Sequence, residues 1–172
     1  MTFLEANSRI MSDKITPGPD QERAFRAALG AFATGVTVVT TRGDFGHVGI
    51  TANSFSSVSL DPALVLWSVA KGSRRYGSFA SGAPFVIHVM AREQDSIASG
   101  FSNDAEAFEG VEWKENAEGV RVLGGCLSTF ECKTEALHDA GDHTIVVGRV
   151  LRFSQRVGDP LLFSQGKYGR FI

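Results

Sequence analysis

Between Thr51 and Ser59 the chain gathers five hydroxyls and one amide into nine residues, from Thr51, Asn53, Ser54, Ser56, Ser57 and Ser59, with no charge among them. The surrounding stretch, Gly49 to Asp61, starts as a β-strand and turns polar where a strand usually stays apolar. Neutral donors and acceptors suit a ligand that is neutral along one edge. A flavin's isoalloxazine ring presents one N–H and two carbonyls on such an edge, and its side chain ends in phosphate, so neutral side chains and backbone amides can satisfy both ends. A Ser/Thr-rich edge strand whose hydroxyls face water would have the same composition, and the residues alone leave both readings open.

Other residues with chemical potential are few. Lys71 and Arg74, in Lys71-Gly72-Ser73-Arg74-Arg75, set cations before a short expected helix, which suits a phosphate, while the whole run also suits a solvated turn. His143, in Gly141-Asp142-His143, carries an imidazole able to donate to a carboxamide or phosphate; otherwise it is a strand-start histidine bonded to its own loop. His47, His88 and His138 match no motif. Tyr168 either stacks at an opening or plugs the end of a barrel, and Phe101 and Phe79 either line a ligand or belong to the core, as most of 13 phenylalanines must. No G-x-G-x-x-G follows a strand, no G-x-x-x-x-G-K-[ST] occurs, and Gly125-Cys126-Leu127-Ser128 does not complete a G-x-S-x-G elbow. The cysteines and histidines have no metal-ligand spacing, so no metal is expected.

Met1 to Pro19 lacks periodicity and ends in Thr16-Pro17-Gly18-Pro19, predicting a flexible tail over 1–19 and a folded domain over 20–172. Asp20 is expected to cap a helix whose buried face is Phe25, Ala28, Leu29 and Phe32, with Gly35 at its end. Val36 to Thr41 and His47 to Ser54 form a hairpin, and Ala63 to Ala70 follows the break at Asp61-Pro62. Ser73 caps a short helix to Phe79; Pro84 to Met90 is a strand and Arg92 to Phe101 a helix. Ser102 to Gly119 reads as an exposed excursion, and Cys126 to Leu137 and Thr144 to Phe153 as long strands. Hairpin-linked strands with few helices predict a mainly β, antiparallel barrel with peripheral helices.

At 172 residues the chain is long enough for one domain that buries about 70% of its unfolded surface. Its 17 basic and 19 acidic residues give a net charge of −2, which argues against nucleic acid or an anionic membrane as partner. No apolar run approaches the ~18 residues of a membrane span. Cys126 and Cys132, six positions apart on one expected strand, would lie ~20 Å apart and cannot bridge. Free thiols without a leader segment point to the cytoplasm.

The run from Phe32 to Leu66, with Ala33-Thr34-Gly35-Val36-Thr37-Val38-Val39-Thr40-Thr41 leading into Thr51 to Pro62, resembles the short-chain flavin reductase family. Gly141-Asp142-His143-Thr144-Ile145 and Pro160-Leu161-Leu162-Phe163 with Gly166-Lys167-Tyr168 match in the same order, so the resemblance spans roughly residues 21–172. It implies an antiparallel Greek-key split β-barrel that binds FMN, a homodimer with flavin near the subunit boundary, and a reductase component that spends NAD(P)H to reduce FMN or FAD for a partner monooxygenase. It places Val36, Thr37, Thr51, Ala52, Asn53 and Ser54 against the isoalloxazine. Ser57, Lys71, Ser73 and Arg74 fall near the phosphate, while Asp142, His143 and Tyr168 lie at the exposed face of the ring. His143 is the expected contact to the nicotinamide. A non-enzymatic electron carrier with tightly bound FMN would need the same flavin stretch without a nicotinamide surface.

Overall fold

The structure is a computed structural model that describes residues 14–44 and 46–170. Its chain divides into two units, one ending at Phe32 and the other beginning at Ala33. The expected tail falls mostly outside the described residues.

In the first unit, a 3-10 turn at Pro19–Gln21 leads into α1, Glu22–Gly30. Asp20 does not cap this helix: it lies inside the turn, Gln21 holds the cap position, and no side-chain cap bond forms. Proline at the first position explains the tight start, since its φ is pre-set and its missing N–H has no partner there to lose. The amides of Ala31 and Phe32 turn back onto the carbonyls of Ala28 and Leu29, ending the helix before Gly35, which lies in a strand. The apolar stripe forms but is not buried, with Phe25 48%, Leu29 58% and Phe32 79% exposed in the single chain. Periodicity marks which face is apolar and says nothing about what covers it.

The second unit is mainly β. Its strands are β1 (Thr34–Gly35), β2 (Thr37–Gly43), β3 (Gly46–Ala52), β4 (Ser56–Leu60), β5 (Ala63–Ala70), β6 (Phe85–Val89), β7 (Trp113–Glu115), β8 (Arg121–Leu123), β9 (Ser128–Ala140), β10 (His143–Gln155), β11 (Leu162–Ser164) and β12 (Lys167–Gly169). Helix α2 (Tyr76–Phe79) and helix α3 (Asp95–Asn103) complete it. Seven strands form one antiparallel sheet in the order β3-β2-β6-β9-β10-β5-β4; β1-β11-β12 and β7-β8 form two smaller sheets.

Two expectations change. The excursion from Ser102 to Gly119 is anchored: Phe108 is buried edge-on against Phe101 at 4.9 Å, and β7 pairs with β8. The Arg121 guanidinium stacks 3.8 Å from the Trp113 ring and 4.7 Å from that of Phe108, a cation–π contact that holds the segment down. Cys126 sits in the turn before β9 rather than on the strand with Cys132; both thiols are free and buried, and burial pushes them up to about 11 and about 12.

Strand β2 shows why its β-branched run is so dense. Thr37 to Thr41 are all buried, because Val39 packs inside the sheet with Trp67 and Ile87 while Val38 packs on the other side with Phe101 and Leu123. Beside it His88 is fully buried: Nδ1–H donates to the Val38 carbonyl at 2.9 Å and Nε2 accepts the Leu123 amide at 3.0 Å, so one neutral imidazole joins β2, β6 and β8. Both nitrogens are spoken for only in the neutral Nδ1–H tautomer.

Burial lowers the His88 pKa to about 4, against smaller opposing effects of the Val38 carbonyl and Glu131. The unfolded chain, with histidine near 6.5, therefore binds the proton first as pH falls, and stability from this group is complete above about pH 6.5 and lost down to about pH 4. The expected loss is on the order of 3 kcal/mol. Denaturant midpoints measured from pH 7.5 to 4 should show it, and His88→Gln should flatten that part of the profile while lowering stability at pH 7.5; an unchanged slope would mean that other groups set the acid limit.

Candidate functional site

The site is built where α3 lies on β3. Gly49 has no side chain, and a Cβ there would stand 2.5 Å from Cδ1 of Phe101, so glycine is what lets the helix come this close. Phe101 is fully buried in the contact, worth roughly 1.5–3 kcal/mol of transfer free energy. Thr51 Oγ1 donates to the Ala98 carbonyl at 2.6 Å, the Gly49 amide to the Ala105 carbonyl at 2.8 Å, and Arg75 Nη1 to the Phe101 carbonyl at 2.7 Å. A guanidinium against the last-turn carbonyls also complements the negative end of the helix.

These ties bring the end of β3, the end of α3 and the loop Ser73–Arg75 around one groove. Its first part, about 160 Å³, is walled by Val36, Ala52, Asn53, Phe163 and Tyr168, with Thr51 and Ser102 where it continues. The second part, about 460 Å³, shares Thr51 and Ser102 and adds Ser73, Arg74, Arg75 and Asn103. Phe163 and Tyr168, from the β11–β12 hairpin, meet edge to face at 5.8 Å and close the apolar end. The groove thus runs from an apolar, uncharged end to one bearing two guanidinium groups. That order fits a flat, neutral heterocycle joined to a phosphate.

The structure sorts the sequence expectations. Val36, Thr51, Ala52, Asn53 and Tyr168 share the first part of the groove, and Ser73 and Arg74 the second. Ser73 also shapes the loop by accepting the Arg75 amide, although it does not cap α2, whose cap position is Arg75. Several expected hydroxyls are already engaged. Thr37 is buried and donates to the Ala52 carbonyl at 2.7 Å, and Ser54 bonds the Ser68 amide at 2.9 Å, tying the end of β3 to β5. Ser57 lies on β4 opposite Val65, outside the groove lining, and the Phe101 side chain is in the core. Lys71 is turned away from the phosphate role expected of it: Nζ bonds Asp139 Oδ2 at 2.8 Å and the Gly141 carbonyl at 2.7 Å. The sequence reading missed Arg75, Ser102, Asn103 and Phe163. Arg75 adjoins Arg74 and Phe163 closes one of the matched segments, but nothing local reveals that the end of α3 returns to β3.

Asp142 and His143 form the β9–β10 turn and the first residue of β10. Gly141 takes φ +69 at the first central position of a two-residue hairpin loop, where glycine carries no steric cost. His143 Nδ1 is 2.8 Å from Asp142 Oδ1, so Nδ1–H donates to the carboxylate and Nε2 remains for a ligand. The ring is 43% exposed and is not part of the groove lining. Among the described residues no cluster of three or more His, Cys, Asp or Glu could hold a metal ion, and no helix is long and apolar enough to cross a membrane.

Comparison with known proteins agrees with this geometry. A family model described as a flavin reductase like domain matches residues 29–171. The chain is 52% identical over 171 residues to the FMN reductase (NADH) SmoA of Agrobacterium fabrum, covering 99% of this chain and 98% of that protein. It is 38% identical to HsaB of Rhodococcus jostii, the reductase subunit of a flavin-dependent monooxygenase, over 98% of this chain and 85% of that one. Among solved structures, the Streptomyces globisporus NADH:FAD oxidoreductase SgcE6 in complex with NAD and FAD fragments aligns with a TM-score of 0.85 at 34% identity, covering 92% and 98% of the two chains. The antiparallel split barrel with peripheral helices is the shared architecture, and the chain belongs to the flavin reductase like domain family.

Proposed function

We propose that the chain is an NAD(P)H-dependent flavin reductase, which passes hydride from a reduced nicotinamide to FMN or FAD and supplies the reduced flavin to a partner monooxygenase. The observation that carries this is the groove that changes from apolar to basic along its length, in a chain alike over nearly its full length to an NADH-dependent FMN reductase. The bound flavin supplies the hydride acceptor. The protein's part is to position the reactants: Val36, Ala52 and Phe163 keep water from the ring, Asn53 answers its polar edge, and Ser73, Arg74 and Arg75 face the phosphate. His143, with Nδ1 committed to Asp142, offers Nε2 to the nicotinamide carboxamide or phosphate. A homodimer is part of the same reading, supported by Leu60, Phe153 and Val157, which are 98%, 71% and 96% exposed in the single chain. Solution in the cytoplasm accords with this role.

The purified protein should oxidise NADH or NADPH at a rate that rises with added flavin. Steady-state assays pairing each nucleotide with FMN, FAD and riboflavin decide this; a folded protein that binds flavin and consumes neither nucleotide would be an electron carrier instead.

Asn53→Ala should weaken flavin binding by roughly 1–3 kcal/mol, about 5- to 150-fold in Kd, because the ring edge loses its partner. Fluorescence titration reads the change, and an unaltered Kd would remove Asn53 from the binding surface.

His143→Ala should raise the KM for NAD(P)H or slow reduction while the flavin Kd stays near that of the wild type. Stopped-flow reduction separates this from a bracing histidine, whose loss would lower the thermal midpoint and leave the kinetics intact.

A further inference from the structure

We infer that Lys71 is a positioning residue for the nicotinamide side of the reaction, acting through the Gly141–His143 turn; the inference rests on the reading that His143 meets the nicotinamide. Two bonds reach that turn from this one residue, and a third reaches the strand that leads into it. The Lys71 amide donates to the Asp142 carbonyl at 2.9 Å, and Nζ donates to the Gly141 carbonyl at 2.7 Å and to Asp139 Oδ2 at 2.8 Å. The turn needs such support. Gly141 has open space around its Cβ position, and the last ladder pairs before the turn are His143 with Ala140 and with Ala70. Beyond them the two central residues are held by Lys71, and Asp142 in turn holds the imidazole through the 2.8 Å bond to Nδ1.

Tyr76 Oη meets Thr144 Oγ1 at 2.9 Å, fixing the residue that follows His143. Lys71 and Tyr76 therefore grip β10 and its turn from both sides of His143, and the residues between them, Ser73 to Arg75, form the basic wall of the groove. One short segment sets both where the flavin phosphate meets cations and where the imidazole stands. An ammonium with one donor spent on the Gly141 carbonyl and another on the Asp139 carboxylate is poorly placed to serve also as a phosphate ligand.

Lys71→Met, Lys71→Arg and the double variant Lys71→Met/His143→Ala test this, by stopped-flow reduction of FMN with NADH and by titration with FMN and with riboflavin. For an exposed brace, Lys71→Met is expected to raise the KM for NADH or slow reduction by about 2- to 10-fold, with Kd for FMN and riboflavin within about two-fold of wild type. Lys71→Arg should recover part of the loss, since a guanidinium can still donate to the Gly141 carbonyl. In the His143→Ala background the effect of Lys71→Met should vanish. A rise in Kd for FMN but not riboflavin would make Lys71 a phosphate ligand and overturn the inference, as would unchanged reduction kinetics or an effect that persists without His143. Wild-type protein unable to reduce FMN with NADH would instead overturn the reductase reading, and this inference with it.

Discussion

The close seating of α3 on β3 is the constraint from which the groove follows. Two backbones approach at Gly49 because one residue lacks a Cβ, and the ring of Phe101 fills the space that is left. Thr51 and Arg75 then hold the helix through the carbonyls of Ala98 and Phe101. Move the helix outward and Ser102 and Asn103 leave the groove together, because both follow directly from the residue that is packed. A side chain at Gly49 would thus act on ligand binding from a position that never touches the ligand.

Hydride transfer asks for fixed distances more than for acid–base groups. The structure answers with groups whose protonation is settled by their surroundings. His88 is kept neutral by burial, and the thiols of Cys126 and Cys132 are raised well above neutral pH, so neither sulfur offers a nucleophilic thiolate. The charged groups that face the groove are the guanidinium groups of Arg74 and Arg75.

Much of this was legible in the sequence where the signal is local. The β-branched run and the glycine-bearing turn specify the β2–β3 hairpin, and Asn53 and Tyr168, both from matched segments, line the groove. What was not legible depends on distant partners. Thr51 and Ser54 look free in a list of residues, yet their hydroxyls are bonded to Ala98 and Ser68 across the fold. Lys71 looks like a phosphate ligand until Gly141 is brought beside it, and Arg75 has no assignable role until α3 turns its last carbonyls toward it. The stripe on α1 shows the converse error, a correct helix with an assumed cover.

The serines first read as ligand groups have another consequence as strand residues. The seven-stranded sheet ends in β3 and β4, and the β3 edge is engaged by the Ala105 carbonyl through the Gly49 amide. Strand β4 is the opposite edge; it carries exposed Val58 and Leu60, and an unpaired edge of this kind is a template on which a stray chain can add and seed aggregation. Here the register slips between Ser57 and Ser59, so the edge is bulged, and Ser56, Ser57 and Ser59 interrupt the apolar residues before Asp61-Pro62 ends the strand. A kinked, hydroxyl-rich border five residues long is a poor match for a flat incoming strand. In the single chain, the bulge and the shortness of β4 offset its exposed Val58 and Leu60 as a template for further strands.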